Sequence, residues 1–106
     1  MIVTTTSEIP GFAITKTHGL VRGNTIRARH AGKDIMAVLR NLAGGEVREY
    51  TKMLAEAREQ AIDRMLEEAN SLGANAVIGV RFQTSMVMAG AAEMLCYGTA
   101  ATIEAS

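Results

Sequence analysis

The sequence predicts an α+β fold: an antiparallel sheet with a long helix packed on one of its faces. Three observations lead there. From Tyr50 to Leu72 apolar residues recur every three or four positions, the spacing of one helix face. On either side of this segment lie β-branched and apolar runs bounded by turn residues, which read as strands. Between helix and strand stands Leu72-Gly73-Ala74-Asn75-Ala76-Val77-Ile78-Gly79-Val80, where the helical period stops and a buried strand begins.

Taken in order, Met1 to Thr6 reads as a first short strand. Pro10-Gly11 is a turn signal, since Pro fixes φ and Gly accepts positive φ. Phe12 to Ile26 reads as a strand carrying Ile14, Leu20, Val21 and Ile26. Gly19 and Gly23-Asn24 interrupt it, as a bulge, a tight bend or a close backbone approach would. A short helix is expected from Lys33 to Ala43, with Ile35, Met36, Leu39 and Leu42 as its apolar stripe and Gly44-Gly45 as its end. The long helix is expected from Val47 to Leu72, its stripe being Tyr50, Met53/Leu54, Ala57, Ala61/Ile62, Met65, Ala69 and Leu72. Glu46 and Glu49 suit the positive end of its dipole, and Gly73 supplies a left-handed cap. Its opposite face, with Lys52, Glu56, Glu59, Asp63, Arg64, Glu67 and Glu68, is solvated. Two strands close the chain, Ala76 to Met88 and Glu93 to Glu104, joined through Ala89-Gly90. The order is β-β-α-α-β-β.

A chain of 106 residues makes one domain, spanning 1–106. Its core must be aliphatic, because aromatics are 4% of residues and Trp is absent. Small side chains fill little volume, so neighbouring subunits are expected to cover part of the apolar surface. Net charge is zero but unevenly spread: 1–45 is basic and 46–106 is acidic. A neutral dipolar chain is not built as a general nucleic-acid binder. The asymmetry serves head-to-tail self-association or belongs to unrelated solvated faces. A single cysteine, Cys96, excludes an internal disulfide. There is no apolar run long enough for a membrane span and no signal-peptide pattern, so the expectation is a cytoplasmic protein with no membrane partner.

Several residue groups carry possible chemistry. The metal candidates are His18, Cys96, Met86, Met88 and Met94, with His30 and Glu93 beside them. No Cys-x-x-Cys or His-x-x-x-His is present, so a closed zinc site within one chain is not expected. Met86/Met88 and Met94/Cys96 lie on either side of one turn, and spacing of two puts each pair on one strand face. In the right register they would suit Cu(I); otherwise Met fills core gaps and Cys is a small hydrophobe. A second group, Arg27, Arg29, His30 and Lys33 around Gly32, precedes the short helix and suits a phosphate or carboxylate, though no P-loop is present. It reads equally as a solvated basic segment. A third, Glu93 with Tyr97 and Arg81 or Gln83, is either a ligand or catalytic cluster, or a buried pair fixing strand register. Cys96 lies mid-strand, away from the settings that favour a thiolate nucleophile.

Several segments in chain order resemble the YbjQ-like family of small proteins, uncharacterised and labelled heavy-metal-binding. They are Val3-Thr4-Thr5, Gly19-Leu20-Val21-Arg22-Gly23, Gly44-Gly45 with Tyr50, and Ala57-Arg58-Glu59 with Ala61. The run from Leu72 to Val80 and Tyr97-Gly98-Thr99-Ala100 complete the set. The resemblance implies a small α+β subunit assembling into a homopentameric ring. Two departures stand out. Glu46-Val47-Arg48-Glu49 replaces a basic Gly/Ser-rich segment found in many members, and His18 stands where some have Cys. In a ring, His18 would recur around the axis and form a metal site that no monomer shows. The resulting expectation is a non-enzymatic homo-oligomeric protein binding a metal ion or small anion at subunit interfaces. The alternatives are a structural or adaptor ring, or an enzyme with an interfacial Glu93/Tyr97/Arg81 site.

Overall fold

The computed structural model describes residues 1–28, 48–88 and 91–106. Its elements are β1 (Ile2–Val3), β2 (Phe12–Ala28), α1 (Arg48–Ser71), β3 (Ala76–Met88) and β4 (Ala91–Ala105). The expected short helix at 33–43, the glycine pair at 44–45 and the Ala89-Gly90 turn lie outside the described residues, as do Arg29, His30 and Lys33.

The sheet has four strands in the order β1-β3-β4-β2. It is mixed, which corrects the all-antiparallel expectation: β1 runs parallel to β3, pairing Ile2 with Ala76 and Val3 with Val77. The physical reason lies in the connection after β1. Residues 4–11 are too long for a tight hairpin, and the β3–β4 hairpin fills the space between β1 and β2. The first strand is also shorter than expected. Past Val3 the chain leaves regular pairing and crosses a bulge in β3, where Gly79 N–H donates to Thr6 O (2.9 Å) and Val80 N–H to Thr4 O (3.0 Å).

The helix ends as its sequence dictates. Gly73 takes φ +83°, its N–H reaches Asn70 O at 3.1 Å, and Ala74 N–H reaches back to Ala69 O at 3.2 Å. This double closure is the Schellman motif, and it turns the chain straight into β3. The core lies between α1 and the sheet. Ala57, Ala61, Met65 and Ala69 from the helix meet Val21, Val77, Val80, Met94, Cys96 and Ala100. The small residues in the stripe let the helix sit very close to β2. A Cβ at Gly23 would collide with Ala61 O and come within 2.5 Å of Met65 N. Two hydrogen bonds fix this approach: Thr25 Oγ1 donates to Ala57 O (2.9 Å) and Arg64 Nη1 to Asn24 O (2.6 Å).

Candidate functional site

Strand register sorts the candidate residues onto two faces, because directly opposed residues share a face. On the helix side the rows are Gly23–Cys96–Phe82, Thr25–Met94–Thr84 and Arg27–Ala92–Met86. On the outer side they are Leu20–Thr99–Ile78, Arg22–Tyr97–Arg81, Asn24–Leu95–Gln83 and Ile26–Glu93–Ser85. The sheet therefore separates Arg27 from Arg81, Glu93 and Tyr97.

A bulge at Gly79 builds the outer row. Register shifts between Ile78 and Arg81, and Gly79 takes φ +62°. The extra residue re-aims the strand after it. Val80 joins the core and Arg81 comes directly opposite Tyr97 on the outer face. With unbroken alternation from Ile78, the two would exchange faces. Arg81 Nη1 donates to two backbone carbonyls, Thr5 O and Val80 O, both at 2.8 Å. Arg22, on the far side of Tyr97, is exposed. Arg22 carries no functional signal in the sequence, since only the β2–β4 register sets it beside Tyr97. Glu93 shares the face of Tyr97 but lies four residues away, roughly 13 Å along the strand. It accepts from Asn24 Nδ2 at 3.3 Å.

Arg27 bridges to the helix, its Nη2 donating to Gln60 Oε1 at 2.9 Å. The groove around it is lined by Glu56, Glu59 and Asp63 as well as Arg58. Three carboxylates against two guanidinium groups disfavour an anion there.

The sulfur atoms are arranged differently from a Met86/Met88/Met94/Cys96 cluster. Cys96 Sγ donates to Met65 Sδ of the helix at 3.5 Å, and both side chains are fully buried. Met94 Sδ accepts from Thr84 Oγ1 at 3.2 Å. Met86 lies on the same face but is 69% exposed, and Met88 pairs with Ala91 beyond a second register shift. Met65 could be found in the sequence only as a packing residue of the helix stripe. Burial pushes the Cys96 thiol pKa up, so the group is held as a protonated thiol. His18 sits at a register shift in β2, its Nε2 paired with Thr102 Oγ1 at 2.7 Å.

Together these features define a small sheet-and-helix domain with an aliphatic core on one side of the sheet and, on the other, a polar–apolar face that no described element covers. The chain belongs to the YbjQ family, whose description, "Putative heavy-metal-binding", matches residues 1–104. It is 63% identical to a UPF0145 protein of Methanosarcina acetivorans over 103 residues, covering 97% of each chain. A UPF0145 protein of Thermosipho africanus is 54% identical over 106 residues, covering 100% of this chain and 98% of that one. Among solved structures, a protein of unknown function from Pediococcus pentosaceus, placed in the DUF74 family, superposes with a TM-score of 0.65. It covers 98% of both chains at 19% identity, which speaks to the fold alone.

The family description implies a heavy metal, and the described residues of the chain do not fit one. Among them no group of three or more His, Cys, Asp or Glu side chains converges. The Cys96–Met65 pair is in direct sulfur–sulfur contact in the core, with a thiol that burial keeps protonated. Metal ligation needs the thiolate. No helix among the described residues is long and apolar enough to cross a membrane.

Proposed function

We propose that this chain is a non-enzymatic, self-associating binding subunit, forming a homo-oligomeric ring that holds its ligand where subunits meet. The observation that carries this reading is a sheet open at both edges among the described residues, with apolar side chains exposed on each. Among the described residues β2 pairs only with β4. On the other edge β1 pairs with β3 only at Ala76 and Val77, and among the described residues β3 has no strand partner on that side from Arg81 onward. Leu20 and Ile26 on β2 are 61% and 60% exposed, and Phe82 and Met86 on β3 are exposed too. Long open edges with apolar residues invite strand addition. In each subunit β2 and β3 both run opposite to β4. A second copy related by rotation about an axis along the strands lays its β2 parallel to the free part of β3. Such a contact is head-to-tail, and it makes a ring where the rotation between copies closes. The resemblance to the family sets the expected number at five.

The test is native mass spectrometry of untagged protein from cells grown with trace metals. A pentamer is the expected species. A monomer at micromolar concentration would overturn the reading. The same spectrum tests the metal. Whole-number excess metal mass would assign the ligand to side chains shared between subunits, with His18 substituted next. Absence of excess mass would leave an organic ligand or a small anion.

A further inference from the structure

The geometry points to a binding site for a small amine with an apolar body, in the concavity lined by residues 6–14 where the chain passes from β1 into β2. This goes beyond the interfacial ligand proposed above, because one stretch of a single chain builds the wall. The concavity measures about 920 Å³, within the size range of small-molecule pockets.

The wall is tied down at both ends, although it holds no regular structure before Phe12. Gly79 N–H donates to Thr6 O at 2.9 Å and Arg81 Nη1 to Thr5 O at 2.8 Å, which anchor the entry to β3. Thr6 Oγ1 donates to Glu8 O at 2.6 Å and fixes the backbone that carries the Glu8 side chain. Pro10-Gly11 then turns the chain, with Gly11 at φ +83° and Phe12 N–H on Ile9 O at 3.1 Å. Ser106 N–H donates to Gly11 O at 3.0 Å and anchors the exit to the residue after β4. A wall held this way is formed before a ligand arrives, so binding does not have to order it.

Its chemistry is one-sided. Phe12 and Ile14 stand two apart, opposite Ala105 and Ile103, so both point to one face, and they are 41% and 39% exposed. Ile9 adds a half-buried apolar side chain. Glu8 is the one charged residue of 6–14, and among the described residues it forms no ion pair. A lone carboxylate in an apolar wall repels oxyanions and favours a cation that brings its own hydrocarbon. A protonated amine fits both halves. Its N–H groups donate to the Glu8 carboxylate and to the Ser7 hydroxyl, while its body lies on Ile9 and Ile14. Phe12 contributes a ring face, which attracts a cation as well as hydrocarbon.

Three probes with one body and different heads test this: phenethylamine, phenethyl alcohol and phenylacetate, titrated into the assembled protein at constant ionic strength and followed by saturation-transfer NMR. The amine should bind about fivefold tighter than the alcohol, the upper end of what an exposed ion pair gives, and phenylacetate should bind weakest. Glu8→Gln should remove the amine's advantage and leave the alcohol's affinity unchanged. Phe12→Leu keeps hydrocarbon but removes the ring, and should weaken the amine more than the alcohol. Glu59→Gln, at an exposed acid of the helix, should change nothing. Equal binding of amine and alcohol, or an amine affinity untouched by Glu8→Gln, would overturn the inference. So would equal weakening by Glu59→Gln, since the attraction would then be diffuse. Native mass spectra of the same samples separate this site from the assembly. A monomer that binds the amine would overturn the ring and keep the site; a ring to which no probe binds would do the reverse.

Discussion

The side-chain amide of Asn75 pairs with the backbone of Ile103 as if it were a strand residue. Its Nδ2 donates to Ile103 O at 2.9 Å and its Oδ1 accepts from Ile103 N–H at 2.8 Å. The Asn75 backbone meanwhile donates to Ala101 O and accepts from Ile2 N–H. One residue thus ties the helix exit to β4 on one side and to β1 on the other. This explains why Asn follows Gly73-Ala74 at the point where the helix turns into β3: its amide is both donor and acceptor at the required reach. Asn75→Ala removes two hydrogen bonds and leaves both Ile103 groups unpaired, and should destabilise the protein by about 1–3 kcal/mol. Asn75→Asp keeps the acceptor but sets a carboxylate oxygen against the Ile103 carbonyl, and should be no better. Urea unfolding at fixed protein concentration reads the difference, since any oligomer makes stability concentration-dependent.

Gly23 faces the helix backbone at a distance that admits no side chain. A Cβ there would run into Ala61 O, Met65 N and Arg64 Cβ, and two of these are backbone atoms that cannot swing aside. Gly23→Ala must therefore lift α1 from β2, breaking the Thr25–Ala57 and Arg64–Asn24 hydrogen bonds. The expected loss is about 3 kcal/mol or more, at or beyond the upper end of ordinary single substitutions. Circular dichroism melting checks it, with Ala13→Gly, an exposed site on the same strand, as the comparison.

Local features of this fold were legible in the sequence because they depend on neighbours a few residues apart. The α1 stripe and the Gly73 cap are of this kind: the structure buries the stripe from Ala57 to Ala69 and forms the cap, while Leu72, expected as the stripe's last member, lies beyond the helix end and is exposed. The parallel placement of β1 beside β3 was not legible, since nothing in residues 1–6 names the strand they will pair with. Of the candidate site, Tyr97 and Arg81 could be named as polar residues on strands. Their direct opposition depends on the bulge at Gly79, which a simple alternation of faces passes over. Arg22 needed the β2–β4 register, and the Cys96–Met65 contact needed the docking of α1.

Cys96 gives a pH dependence with a definite sign. Burial raises its pKa in the folded protein above the ordinary thiol value. In the unfolded chain the thiol ionises first. Between the two pKa values the unfolded state therefore binds fewer protons, and stability falls as pH rises through the ordinary thiol range. Below that range Cys96 contributes no slope. Urea midpoints measured from neutral to alkaline pH should show a decline that Cys96→Ala abolishes, on top of the small loss from its cavity. The buried thiol should also react with Ellman's reagent at neutral pH only as fast as the protein opens.

Leu20 and Ile26 are the residues whose exposure is hardest to reconcile with a solitary subunit. They lie on one face of an edge strand, at opposite ends of the run whose register with β4 is unbroken after Gly19. On an isolated subunit, replacing either with Lys would change stability by no more than about 0.5 kcal/mol, the usual limit for surface substitutions. If β2 instead carries the contact with a second copy, each lysine buries an unpaired charge in that interface, costing several kcal/mol. Leu20→Lys and Ile26→Lys should then shift the protein to smaller species in native mass spectra while leaving the far-ultraviolet circular dichroism of the subunit in place. Phe82→Lys on the free edge of β3 should do the same, because a head-to-tail contact needs both edges. Dissociation by the β2 variants without any effect of Phe82→Lys would instead favour pairing of β2 with another β2 across a two-fold axis.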